Sequence, residues 1–141
     1  IQSVRDSIAK HRLKYRLSLK PKNKVIKKDH FITDRENFLL REYIPKNIEK
    51  NKVVLFFHGG GYVLSSVETH DAMVSFIADN LGVKIFSLDY SLAPENKYPS
   101  ALNEALAAYN WLISMGYNSN QISLCGDSAG GHLAASLTHH L

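Results

Sequence analysis

Leu124-Cys125-Gly126-Asp127-Ser128-Ala129-Gly130-Gly131 holds a Gly-x-Ser-x-Gly pentapeptide between a short apolar run and an Ala-rich, helix-prone tail. A serine hydroxyl is a poor nucleophile at neutral pH. It becomes an effective one where a tight strand-to-helix turn thrusts it toward a base and an oxyanion pocket. The flanks predict such a turn. Residues 121–125 form a short run after the turn-forming Asn118-Ser119-Asn120, and residues 129–141 place Leu133, Ala134, Leu137 and Leu141 at helical spacing. Gly126 and Gly130 are expected where a side chain would collide with the strand or the helix. Ser128 is therefore the candidate nucleophile.

A lone pentapeptide of this kind arises by chance in many chains, so a second motif upstream carries the decision. Residues 52–57 end in Val53-Val54-Leu55-Phe56-Phe57, the unbroken apolar run of a strand buried on both faces of a parallel sheet. It leads straight into His58-Gly59-Gly60-Gly61-Tyr62. Three successive glycines after a buried strand carry an entropic cost, and bare N–H groups aimed at a developing oxyanion give a reason for them. A flexible surface turn or a phosphate cradle is the competing explanation, but the Lys and Ser/Thr of a P-loop are missing here.

The stretch between the motifs alternates. Residues 68–81 read as a helix with Met73, Phe76, Ile77 and Leu81 on its inner face, ended by Gly82, and residues 83–88 as the next buried strand. Asp89-Tyr90-Ser91-Leu92-Ala93-Pro94-Glu95 follows as a loop. A further helix then runs from Pro99 through Ser114 with Leu102, Leu106, Tyr109 and Ile113 turned inward. Upstream, residues 25–33 and 38–44 are β-like runs joined at Asp34-Arg35-Glu36-Asn37, which has hairpin turn chemistry. The whole predicts an α/β fold with a mostly parallel, doubly wound sheet and its function at the carboxyl ends of the strands.

Charge divides the chain. Residues 1–28 carry ten Lys/Arg against Asp6 alone, whereas the remainder has seven basic and twelve acidic residues. Residues 1–24 are therefore set apart as a basic helical, cap-like segment, with residues 25–141 as the α/β domain. Ile1, Val4, Ile8, Tyr15 and Leu19 suggest an apolar stripe by which the segment packs on the domain. Contact with an anionic lipid surface is the alternative for such a helix. Nucleic acid is excluded as a partner because no interleaving of basic and aromatic residues continues into the domain.

Cys125 is the single cysteine, so no internal disulfide forms, and it reads as a buried strand residue. With no signal-peptide pattern and no apolar run of spanning length, the expected location is cytoplasmic. No Cys/His spacing suggests a metal site, and no cofactor is implied. The chain starts without Met and stops inside a helix-like run with no stop signal, which predicts a fold truncated after the elbow helix. A sheet that ends there would leave an open edge, so self-association is expected.

Taken in order, His58-Gly59-Gly60-Gly61-Tyr62, Asp89-Tyr90-Ser91-Leu92-Ala93-Pro94-Glu95 and Gly126-Asp127-Ser128-Ala129-Gly130-Gly131 resemble the hormone-sensitive-lipase-like family of α/β-hydrolase esterases. The resemblance runs from about residue 25 to the end. It implies a serine esterase of small carboxylic esters, with Ser128 as nucleophile, Gly59, Gly60, Gly61 and Ala129 lining the oxyanion hole, and His58 and Asp127 supporting the loops. Ser91 departs from the pattern, since the family usually has an arginine there that pairs with an acidic neighbour. In this fold the triad acid and base follow the nucleophile. Residues 129–141 contain no acidic residue, and His132, His139 and His140 are expected on a helix surface leading away from Ser128. A non-catalytic member of the same fold that binds a small molecule, or serves as a scaffold, is the alternative.

Overall fold

A computed structural model describes residues 1–15, 19–33, 37–49 and 51–141, apart from the side chains of residues 12–15. Helix α1 (Gln2–Tyr15) precedes β1 (Ile26–Thr33) and β2 (Asn37–Ile44); then follow β3 (Val53–Phe57), α2 (Val67–Leu81), β4 (Lys84–Asp89), α3 (Ser100–Ser114), β5 (Ile122–Gly126) and α4 (Ala129–His140). The strands form one sheet in the order β1-β2-β4-β3-β5. β3 pairs in parallel with both β4 and β5, while β2 is antiparallel to β1 and β4. Only β2 therefore runs against the rest, and the sheet is mostly parallel as expected. Of the hairpin turn, residues 34–36 lie outside the described residues.

The two faces of the sheet carry different layers. Leu40, Leu55, Phe57 and Leu88 pack with Leu102, Ala105, Leu112, Leu133 and Leu137 of α3 and α4. Tyr43, Phe56 and Ile85 pack on the other face with Val74 and Ala78 of α2. Burying an aliphatic or aromatic side chain of this size stabilises by about 1.5–3 kcal/mol, so these two clusters are the main reason the layers hold.

Helix α2 begins at a capping box, in which Ser66 Oγ accepts from Thr69 N–H and Thr69 Oγ1 accepts from Ser66 N–H, and it ends at Gly82 with φ 64°. Its buried side agrees with the expected one only in part: Met73 and Ile77 pack half-buried against the Tyr43, Phe56 and Ile85 cluster. Val67, His70, Asp71, Val74, Ser75 and Ala78 face the sheet, whereas Leu81 is exposed. Three of those residues are polar, which hid the centre of the face from hydrophobic periodicity, and two of them, His70 and Asp71, are used below. On α3 the expected Leu102 is buried and Leu106 and Tyr109 pack half-buried on the core, while Glu104, Ala105, Ala108 and Leu112 are buried as well and Ile113 is exposed.

Cys125 is exposed, contrary to the expectation of a buried strand residue. β5 is an edge strand, and Ile122 and Leu124 are the residues it turns to the α3/α4 layer. Cys125 alternates onto the opposite face, which α2 covers over β2 and β4. The N-terminal segment also differs from expectation. α1 ends at Tyr15, whose side chain lies outside the described residues, Leu19 lies beyond it, and of the remaining stripe Ile1 and Val4 are exposed and Ile8 is half-buried. No helix among the described residues is long and apolar enough to cross a membrane.

Candidate active site

Strand register builds the site. Phe57 stands beside Leu88 on one side and Gly126 on the other, so the carboxyl ends of β4, β3 and β5 are level. The next residues, His58, Asp89 and Asp127, emerge side by side, and both glycine motifs open from the same rim.

At the end of β5 the chain turns abruptly into α4. Ser128 occupies the turn with φ 52° and ψ −119°, a sparsely populated conformation for a residue with a side chain, and it is exposed. The turn is closed by Gly130 N–H donating to Asp127 O at 2.8 Å and His132 N–H to Ser128 O at 3.1 Å. Close approach explains the flanking glycines. A Cβ on Gly130 would collide with the Phe57 carbonyl, and one on Gly126 would collide with the Gly130 carbonyl and lie 2.6 Å from Phe57 O. The elbow is thus pressed against the end of β3.

The loop after β3 reverses with three successive positive φ values, Gly60 at 121°, Gly61 at 63° and Tyr62 at 63°. Gly60 O accepts from Val63 and Leu64 N–H at 3.1 and 2.9 Å, and Tyr62 O accepts from Ala93 N–H at 2.8 Å. The N–H groups of Gly60 and Gly61 are not engaged by any described residue. Ala129 N–H, at the first position of α4, has no acceptor within its own helix. Gly59 is different from its neighbours, because its N–H donates to Asp127 Oδ1 at 2.8 Å. Of the four groups expected to line an oxyanion hole, Gly59 therefore has its N–H committed elsewhere.

The residues around the loop fix its position. His58 is fully buried, its Nδ1–H donates to Gly59 O at 2.8 Å, and its ring stacks on Tyr90 at 4.2 Å. Tyr90 OH donates to His58 O at 2.6 Å. His58 Nε2 lies 3.9 Å from Asp89 Oδ1, which accepts Val67 N–H at 2.9 Å. Burial pushes the Asp89 carboxyl above its ordinary pKa. Asp127 Oδ1 also lies 3.3 Å from His70 Nε2. Burial tends to raise the Asp127 pKa, but the hydrogen bond and charge of His70 together with Gly59 N–H outweigh it and hold the carboxyl below the ordinary value.

His70 was not singled out from the sequence. The available signal was Glu68-Thr69-His70-Asp71, four polar residues opening a helix that is apolar further on. The acidic neighbour anticipated beside Ser91 is Glu104, buried, with Oε2 accepting Ser91 N–H at 2.6 Å. His139 and His140 lie exposed at the end of α4, and His132 Nδ1 is taken by Tyr62 OH at 2.7 Å. An apolar cavity of about 310 Å³ adjoins this pair, bounded by Tyr62, Ser91, Tyr98, Leu102 and His132. No group of three or more metal-ligating side chains occurs among the described residues.

Comparison with known proteins agrees with this architecture. Residues 54–141 match the family described as the alpha/beta hydrolase fold. An ethyl acetate hydrolase of Pseudomonas putida is 37% identical over 62% of this chain and 29% of its own length. Mouse hormone-sensitive lipase is 42% identical over 61% of this chain and 12% of its own. The solved structure of a hyperthermophilic esterase from Pyrobaculum calidifontis superposes with a TM-score of 0.86, at 34% identity, over 99% of this chain and 46% of that one. The chain thus spans less than half the length of these relatives. It belongs to the α/β-hydrolase-fold family, among the carboxylesterase- and lipase-like hydrolases related to hormone-sensitive lipase.

Proposed function

We propose that the protein containing this chain is a serine carboxylesterase acting on small carboxylic esters. Ser128 Oγ attacks the ester carbonyl carbon as a general base takes its proton, and the carbonyl electron pair moves onto oxygen. The resulting oxyanion is received by the N–H groups of Gly60, Gly61 and Ala129, while Gly59 N–H holds the loop to Asp127. Collapse expels the alcohol with a proton from the base and leaves an acyl-serine. Water then attacks it and releases the carboxylic acid. The base and its acidic partner come from outside residues 1–141, since no acidic residue follows Ser128 here and His132 is held by Tyr62. No metal or organic cofactor takes part.

The observation that carries this reading is Ser128 held at φ 52° and ψ −119° beside a glycine loop with two N–H groups left unengaged. Strain of this kind costs on the order of 1–3 kcal/mol and persists where the surroundings enforce it.

The test uses the full-length protein, p-nitrophenyl acetate and a fluorophosphonate probe. Labelling of Ser128 with turnover, both abolished by Ser128→Ala, is expected. Gly60→Pro removes one donor and should lower kcat by about 10²-fold or more. A protein that binds a small ligand, ignores the probe and is unchanged by Ser128→Ala would instead be a binding module of the same fold.

A further inference from the structure

Arg5 ties helix α1 to the catalytic rim in a way that its sequence position does not announce. Its Nε–H donates to Val63 O at 2.8 Å and its Nη2–H to Ala93 O at 2.7 Å. Nη2 and Nη1 also hold the two Glu95 oxygens at 2.9 and 3.1 Å. All three guanidinium nitrogens are used, and the Arg5 side chain is 16% exposed while Glu95 is 53% exposed. An ion pair with so exposed a carboxylate contributes little. The two backbone carbonyls are the informative partners.

Val63 directly follows Tyr62, the last of three residues with positive φ, and Ala93 is the residue whose N–H meets Tyr62 O. Arg5 therefore fastens the glycine loop and the loop after β4 at the point where they already meet. The planar fork can reach two carbonyls and a carboxylate at once, which a lysine ammonium on its flexible stem does not reproduce. On the first turn of α1 around it, Ile1 and Val4 are exposed, so apolar packing there does not account for the attachment.

We infer that Arg5 is a positioning residue for the oxyanion loop, and that α1 serves the site through it. This rests on the proposed esterase reading. By fixing Val63 and Ala93, Arg5 limits the freedom of Tyr62 and the two glycines before it, so that Gly60 and Gly61 N–H converge on one point. An arginine that merely anchored the helix would affect stability and leave the chemical step alone.

The experiment compares Arg5→Met and Arg5→Lys with the wild type in the full-length protein, using p-nitrophenyl acetate kinetics and amide hydrogen exchange over residues 59–65 and 91–95. A fall in kcat of about 10–100-fold with KM within about threefold is expected for both variants, smaller than deletion of an oxyanion donor because the donors are displaced and not removed. In a third variant, Arg5→Ala, which leaves space for the ion, guanidinium at tens of millimolar should restore part of the lost kcat, and sodium chloride at the same ionic strength should not. Exchange should quicken in both loops while α3 is unchanged. Wild-type kcat in Arg5→Lys, or loop exchange like that of the wild type, overturns the inference. If the wild type itself proves inactive the esterase reading falls, and the exchange data alone then decide the role of Arg5. If Arg5→Met does not fold, Arg5→Lys gives the same comparison.

Discussion

Asp127 Oδ1 accepts the N–H of Gly59 at 2.8 Å and so joins the turn that carries Ser128 to the loop that carries Gly60 and Gly61. The same oxygen faces His70 Nε2 at 3.3 Å, which brings α2 into the connection. One carboxylate thus holds three elements that come from three parts of the chain. Asp127→Ala leaves Gly59 N–H without its acceptor, whereas Asp127→Asn keeps an oxygen in place. In the full-length protein, kcat should fall by about 10-fold or more in the alanine variant and less in the asparagine variant, as expected when catalytic groups lose alignment. Steady-state kinetics on both variants checks the order. The stability cost should be about 1 kcal/mol, because hydrogen bonds to charged groups are worth about 1.5–3 kcal/mol and partial exposure of Asp127 reduces that.

Acid should act on the same carboxylate. Its folded pKa lies below the ordinary value, so its contribution to stability is fully present above the unfolded pKa of about 3.9 and is lost as the pH falls through the folded value. Asp89 works in the opposite sense, because burial raises its pKa and its charged form destabilises the fold at higher pH. Denaturant unfolding followed from pH 6 down to pH 3 should show a decline that is shallower in Asp127→Asn than in the wild type. An unchanged slope would mean that Asp127 is not held as described.

Gly130 and Gly116 make a matched pair for testing close packing. A Cβ on Gly130 collides with backbone atoms of Phe57 and His58, which cannot move aside without moving β3. Gly116 has φ 95° and nothing within 4 Å of an added Cβ, so only backbone strain opposes a side chain there. Gly130→Ala should cost about 3 kcal/mol or more, at the upper end of overpacking, or prevent folding. Gly116→Ala should cost about 1–2 kcal/mol. Chemical denaturation of the two variants decides it.

Residues 1–141 expressed alone should display their open edge. The Cys125 thiol should react stoichiometrically with a disulfide reagent under native conditions, since it is exposed on β5. An unpaired strand edge also invites association, so light scattering should find oligomers or aggregates. The same chain should hydrolyse p-nitrophenyl acetate no faster than its Ser128→Ala variant.

Local chemistry made the centre of the fold legible. Val53 to Phe57 reads as a buried strand, and the glycines placed at both strand ends mark the rim. What escaped the sequence depends on partners far along the chain. His70 and Asp71 face inward on α2, where they meet Asp127 and Tyr43, and a periodicity that counts only apolar residues finds Met73 and Ile77 but passes over these two. Arg5 meets Val63 and Ala93, 58 and 88 residues away, and nothing in its neighbourhood signals them. Cys125 sits in an ordinary apolar strand, and its exposure follows from strand order, which no single strand encodes.

The placement of β5 and α4 also sets the direction in which this sheet can grow. The β4-α3-β5 connection passes over the α3/α4 face to reach the far side of β3, and α4 returns over that same face. Parallel crossovers are right-handed in nearly all proteins. A strand following α4 would therefore add outside β5, and its carboxyl end would open on the flank of Ser128 opposite the glycine loop. Under the proposed mechanism, a base carried on that flank would reach the hydroxyl from the side opposite the glycine loop, an arrangement that chain handedness would favour.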